Sequence, residues 1–151
     1  MQIVEATQAH LQSWLALRRQ LWPDPDPHHL QEMQEILASP TLVAFLLLDD
    51  DEQPAGFIEG ALYLTASQKY GYVEGWYVIP NRRGAGLGRR LLGALEQWIL
   101  HQSITLILSD TSPEDYPLST RAHHENGFRE LMTIRVFAKQ LDRGDVDSAM
   151  S

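Results

Sequence analysis

Cysteine is absent from the 151 residues. That excludes a disulfide framework, a thiolate metal site and a cysteine nucleophile. Long hydrophobic runs are also missing. The longest, residues 42–48, is far too short to span a bilayer, so no membrane partner is expected. Residues 1–5 have neither the basic start nor the apolar stretch of a signal peptide, and a cytoplasmic location is expected. Basic residues are few: 12 Lys and Arg against 20 Asp and Glu, a formal net charge of −8. Phosphate backbones need basic surfaces, so nucleic acid is not expected as a partner. An acidic chain instead attracts cations over long range, although acidity also serves plain solubility. There is no internal repeat and no low-complexity tract. The chain reads as a single domain over 1–141 with a polar tail at 142–151.

What is present alternates between strand-like and helix-like patterns. Residues 2–6 read as a short strand. Leu11, Trp14, Leu15, Leu17 and Leu21 then form the apolar face of a helix. Trp22-Pro23-Asp24-Pro25-Asp26-Pro27 ends it. Asp26 as N-cap with Pro27 at the first helical position would start a second helix, carrying Leu30, Met33, Ile36 and Leu37. Residues 41–48, 55–64 and 70–79 read as strands in antiparallel series, the first two joined by the charged turn at 49–52. A Gly- and Arg-rich turn at 80–88 opens a helix bearing Leu91, Leu92, Leu95, Trp98 and Ile99. Residues 104–109 give a short apolar strand, completing a strand–helix–strand unit. A last helix at 118–125 is stopped by Asn126-Gly127. Met132, Ile134, Val136 and Ala138 alternate with polar residues in an expected final strand or hairpin at 128–139. The fold class is α/β, an α+β sandwich around a central mixed, mostly antiparallel sheet flanked by helices.

The segment 78–92 is the most informative. It leaves a strand, turns through Gly84, Gly86 and Gly88, and opens a helix. Glycines there let the backbone approach a bulky anion. The N–H groups of the first helical turn and the helix dipole then favour negative charge. Arg82, Arg83, Arg89 and Arg90 concentrate positive charge in an otherwise acidic chain, and a pyrophosphate is the natural guest. The Gly-x-x-x-x-Gly-Lys-Ser/Thr pattern of a Walker P-loop is absent. The turn lies past mid-chain after an antiparallel pattern, which argues against a Rossmann site.

Arg83-Gly84-Ala85-Gly86-Leu87-Gly88, after a strand and Pro80, resembles the acetyl-CoA signature Arg/Gln-x-x-Gly-x-Gly/Ala of the GCN5-related (GNAT) N-acetyltransferases. Gly127-Phe128 is similar to the family's Gly-Phe before its C-terminal strands, and the element order matches along nearly the whole chain. The resemblance implies the GNAT fold, with acetyl-CoA as co-substrate and no metal. It also implies that backbone groups of Tyr77, Val78 and Ile79 hold the acetyl-pantetheine arm. The pyrophosphate would rest on Arg83, Gly84, Ala85, Gly86, Leu87, Gly88 and Arg89. A bulge near Tyr77–Val78 would splay the strand and free an N–H toward the thioester carbonyl.

Further stretches resemble one subgroup, the aminoglycoside 6′-N-acetyltransferases. They are Leu17-Arg18-Arg19-Gln20-Leu21-Trp22-Pro23-Asp24, Gly56-Phe57-Ile58-Glu59, Val73-Glu74-Gly75-Trp76-Tyr77-Val78-Ile79-Pro80, Leu95-Glu96-Gln97-Trp98, and Ser109-Asp110 followed by Ser119, His123 and Gly127-Phe128. The resemblance implies transfer of an acetyl group to a primary amine of a small polycationic substrate. Glu74 would take the proton from the substrate ammonium. Trp22, Asp24, Glu74 and Asp110 would bind the acceptor, with Asp115 adding negative charge. His123, where many relatives place a tyrosine, would protonate the departing thiolate. A homodimer is expected as well.

Each of these residues has a plainer reading. Glu74 is a solvent-facing strand carboxylate, Asp110 a turn cap, His123 a surface helix residue and Trp22 a core residue. His28 and His29 do not read as a metal pair, since adjacent residues on a helix diverge. The chain also departs from the subgroup. The hairpin at 62–71 is short, with Tyr63 and Tyr70 as its phenols. The loop at 111–117 is longer, and Met132 replaces a common acidic residue. Two other functions stay open: acetyl transfer to another small amine or a peptide, and a non-catalytic acyl-CoA-binding module.

Overall fold

The structure is a computed structural model and describes residues 1–25 and 28–141. The N-cap expected at Asp26 with Pro27, and the expected tail at 142–151, lie outside the described residues. The chain divides into two compact units, Met1–Ser112 and Pro113–Ser151.

The first unit holds a sheet of five strands in the order β1-β2-β3-β4-β5. These are β1 (Gln2–Glu5), β2 (Leu42–Leu48), β3 (Pro54–Leu64), β4 (Lys69–Val78) and β5 (Ile107–Ser109). β1 to β4 pair antiparallel, and β5 joins β4 in parallel. The tight β2–β3 turn is built by Asp49, whose Oδ1 accepts from the N–H groups of Asp51 and Gln53, both at 2.9 Å. Such local acceptance by an aspartate stabilises a turn against extended pairing. β5 is shorter than the expected 104–109. Its ladder with β4 has only three paired positions, from Gly71–Ile107 to Val73–Ser109.

Helices cover both faces. α3 (Leu87–Leu100) lies directly on glycines of the sheet. A Cβ on Gly60 would sit 2.3 Å from Leu95, and one on Gly71 would sit 2.3 Å from Ile99. The helix therefore nests closer than side chains there would permit. Leu91, Leu92, Leu95 and Ile99 are buried along it, and truncating such a leucine to alanine typically costs about 2–5 kcal/mol. On the opposite face α1 (Leu11–Leu21) and α2 (His29–Ala38) pack Trp14, Leu17 and Met33 against Ala44, Leu46 and Phe57.

One irregularity sets the direction of the site. The β3–β4 register runs Glu59–Gly75 and then Gly60–Val73, so Glu74 is an extra residue in β4. Directly paired residues share a face. Val73, opposite Gly60, therefore faces α3, while Gly75, opposite Glu59, faces α1 and α2. The bulge reverses the alternation at Glu74. The resemblance implies a bulge near Tyr77–Val78; the register shift falls instead at Glu74, and pairing with β3 continues through Tyr77–Phe57 and Val78–Gly56.

In the second unit, α4 (Ser119–Glu125) ends as expected. Gly127 has φ 85°. Its N–H donates to His124 O at 3.2 Å, and the Phe128 N–H donates to His123 O at 3.0 Å. This is the Schellman pattern. The strand expected at 128–139 does not form: residues 128–141 contain no strand, and Met132, Ile134, Val136 and Phe137 are exposed. An alternating pattern becomes a strand only where a ladder partner takes up its backbone groups.

Candidate active site

β4 ends at Val78 and passes through a 3-10 turn, Pro80–Arg82, into the glycine loop. Gly84 and Gly86 have φ of 86° and 75°, and Gly86 is the N-cap of α3. A Cβ at either would meet nothing within 4 Å. Backbone conformation demands these glycines, and the space beside them is open. Leu87 is buried and anchors the helix start, while the N–H groups of its first turn have no carbonyl one turn back. The Trp76 indole donates to Gly88 O at 3.0 Å, tying loop to strand. The arginines are braced rather than splayed. Arg83 Nε donates to Val78 O at 2.8 Å and its guanidinium lies 5.4 Å from the Tyr77 ring. Arg82 pairs with Asp49 at 3.6 Å, and Arg90 donates to Met1 O at 3.3 Å.

Beside the loop, β4 loses its neighbour. Parallel pairing with β5 stops at Val73–Ser109, and β4 runs five residues further, to Val78. The Ile79 N–H donates to Ala55 O at 2.9 Å, on the β3 side. Antiparallel alternation then turns the Val78 N–H to the open edge, its carbonyl being taken by Arg83. Past Val73, β4 therefore has no strand paired on this side among the described residues, up to the glycine loop.

On the α1–α2 face, tyrosines hold two carboxylates. Tyr63 donates its phenol to Glu74 Oε1 at 2.9 Å. Tyr72 donates to Asp110. Tyr63 stacks on Tyr70, with centroids 5.2 Å apart and planes at 11°, and meets Tyr72 edge-on at 5.8 Å. The hydrogen bond to Glu74, followed by burial and the nearby negative charge, raises the Tyr63 phenol above its ordinary value. Burial, followed by the bond to Asp110, raises Tyr72. Trp22 lies on the same face, against Gly75, and Asp24 is exposed in the loop after α1.

Asp115 and His123 belong to the second unit. Asp115 is exposed. His123 Nδ1 lies 2.7 Å from Ser119 O and 3.3 Å from Ser119 Oγ. A carbonyl only accepts, so Nδ1 carries the hydrogen in this geometry. The ring also meets Phe128 edge-on at 5.2 Å. Among the described residues, no group of three or more His, Asp or Glu is placed to hold a metal ion.

A family model described as the acetyltransferase (GNAT) family matches residues 10–128. The chain belongs to the GNAT family. Among its relatives is the aminoglycoside N(6')-acetyltransferase type 1 of Acinetobacter haemolyticus, 33% identical over 94% of this chain and 100% of that protein. The enzyme of the same name from Stenotrophomonas maltophilia is 36% identical over 93% of this chain and 94% of its own length. Among solved structures, AAC(6')-Iy in complex with a CoA-linked acetylneamine bisubstrate analog superposes with a TM-score of 0.83. It is 31% identical and covers 93% of this chain and 98% of that one.

GNAT enzymes use acetyl-CoA, and this chain fits it. The open space at Gly84 and Gly86, the helix start at Leu87 and the exposed edge of β4 match a diphosphate joined to an extended amide arm. With Arg82, Arg83 and Arg90 tied to protein groups, backbone N–H groups are the chief contribution to such a cradle.

The residues of this GNAT site that sequence reasoning passed over are its supports. Tyr63 and Tyr72 hold the carboxylates, and the available signal was the group of phenols at 63, 70 and 72. The other support is a buried polar cluster. Arg18 Nη1 donates to both oxygens of Glu59, at 2.8 and 2.7 Å, and Trp14 Nε1 donates to Glu59 Oε2 at 2.8 Å. Arg18 also pairs with Glu32. Burial pushes the Glu59 carboxyl upward, and the Arg18 charge opposes it. A glutamate on the inward parity of an apolar strand, beside Phe57 and Ala61, was the signal here.

Proposed function

We propose that this GNAT enzyme transfers the acetyl group of acetyl-CoA to the 6′ primary amine of an aminoglycoside. The reading rests above all on full-length similarity, at 33 and 36% identity, to enzymes of that name. The linked face of Glu74, Tyr63, Tyr72 and Asp110 supports it chemically, since two carboxylates among aromatic rings suit a ring-borne polycation. The net charge of −8 draws such a substrate in.

Acetyl-CoA supplies the activated acetyl thioester. The Val78 N–H aligns the arm, whereas the Ile79 N–H and carbonyl are taken by Ala55 and Arg82 and Tyr77 pairs with Phe57 on the β3 side; the loop from Arg83 to Arg89 holds the diphosphate. Glu74, aimed by the bulge and held by Tyr63, removes a proton from the acceptor ammonium, so the amine attacks with a lone pair. Trp22, Asp24, Asp110 and Asp115 bind the remaining sugar and amine groups. His123 returns a proton to the leaving sulfur through Nε2. The enzyme works in the cytoplasm as a homodimer. In support of the homodimer, exposed apolar residues at 132–137 offer a surface to a second copy.

The test is release of free CoA from acetyl-CoA with kanamycin or tobramycin, beside polyamines, amino acids and peptides. Turnover on the aminoglycosides with one added acetyl group by mass spectrometry is the expected result. Turnover only on another amine would leave the family standing and remove the aminoglycoside assignment.

A further inference from the structure

The indole of Trp22 is gripped from several sides. The Arg18 guanidinium, itself buried, lies 4.9 Å from its centroid. The His29 ring stacks on it at 6.4 Å and 25°, and Phe57 meets it edge-on at 5.9 Å. Behind it stands Gly75, where a Cβ would come within 2.6 Å of Trp22 Cη2 and 3.0 Å of Cζ2. Gly75 follows Glu74 in the bulge, so the wall and the proposed base are set by adjacent residues of one strand.

The grip has a hierarchy. Glu59 on β3 holds Arg18, and Arg18 Nε donates to His29 Nδ1 at 3.0 Å. That bond fixes the His29 tautomer with its hydrogen on Nε2, and this buried nitrogen has no partner among the described residues. Filling space alone does not require a histidine with an unsatisfied N–H, which costs stability. Its bond to Arg18 and its stack on Trp22 account for it. Gly75 has no left-handed φ, so its missing side chain serves the approach of the indole.

We propose that Gly75, His29 and Arg18 are positioning residues for the acceptor: together they clamp the Trp22 indole as a fixed wall beside Glu74. The inference rests on the reading of Trp22 and Glu74 as acceptor-side residues. Arg18 and His29 belong to α1 and α2 and not to the loop or strand assigned to acetyl-CoA, and a Gly75 side chain would meet Trp22 and Phe57 rather than the edge of β4.

The experiment is a pair of double-mutant cycles on the full chain, with kanamycin as acceptor and separate KM values for kanamycin and acetyl-CoA. Gly75→Ala is expected to raise the kanamycin KM about tenfold and to leave the acetyl-CoA KM unchanged. In a Trp22→Ala background the same Gly75→Ala change should have almost no further effect, because the added methyl meets no indole. His29→Leu should behave alike and decides the matter if Gly75→Ala does not fold by circular dichroism. Full additivity in both cycles, or a parallel rise in the acetyl-CoA KM, overturns the clamp. Trp22→Ala without effect on the kanamycin KM, or no acetylation of kanamycin by the unaltered enzyme, removes the underlying reading and the clamp with it.

Discussion

Tyr63 shows how a single side chain reports on the chemistry. Its phenol donates to Glu74, and that carboxylate opposes a second negative charge on the phenol. Of the five tyrosines, Tyr63 and Tyr72 are therefore expected to ionise above the ordinary range in a spectrophotometric titration. Glu74→Gln should bring Tyr63 down, because its largest cause of elevation is then lost. Asp110→Asn should lower Tyr72 only in part, since burial comes first there. The same Glu74→Gln variant should lose at least about a hundredfold in kcat while binding acetyl-CoA as before by calorimetry. A full-rate variant would take Glu74 out of the base role. Gly86 tests the other half of the site. Its φ of 75° disfavours a β-branched residue strongly, and no neighbour crowds the position. Gly86→Val should weaken acetyl-CoA binding through the loop's backbone while the fold persists, and unchanged affinity would contradict the cradle.

Elements were legible where their residues serve a local rule. α1, α2 and α3 announce themselves by apolar spacing, and α4 by Asn126-Gly127 as a stop; the strands from 41 to 79 follow from β-branched and aromatic runs. The glycine loop was readable because its φ values admit few other residues. The bulge at Glu74 was not, since a one-residue register shift depends on what β3 presents opposite. The strand at 128–139 was misread because alternation records a preference and not a partner. Between these lies the clamp across α1, α2 and β3, whose charged members are visible in sequence but whose pairing is not. Its energetics carry a prediction. A carboxyl with a raised folded-state value adds stability that is full below the ordinary carboxylate range and lost as pH rises through the raised value. Arg18→Leu removes the main opposing charge and raises Glu59 further. The variant should lose about 3 kcal/mol at neutral pH and recover part of it on acidification, as Glu59 takes up a proton. Thermal melting of both proteins across that range is the check. A deficit that is flat with pH would mean that Glu59 is not the group left uncompensated.

At the scale of the whole molecule, the apolar surface is unevenly placed. Leu131, Met132, Ile134, Val136 and Phe137 are between 63 and 88% exposed, in one short stretch that has strand-like alternation and no strand. Apolar side chains scattered singly on a surface need no partner, but a contiguous row does. Apolar alternation of this kind suits pairing with a strand of another chain. In the proposed homodimer a second copy would supply the same segment, and a two-fold contact would satisfy both at once. The backbone ladder missing from the single chain would then form between protomers. Light scattering should therefore give twice the 17.2 kDa chain mass. Val136→Lys combined with Phe137→Asp should give the single mass, with a reduced amide-exchange protection across 128–139 if that ladder exists only in the dimer. A doubled mass that survives the double substitution would place the contact elsewhere, and a single mass for the unaltered protein would leave the exposed row without its proposed partner.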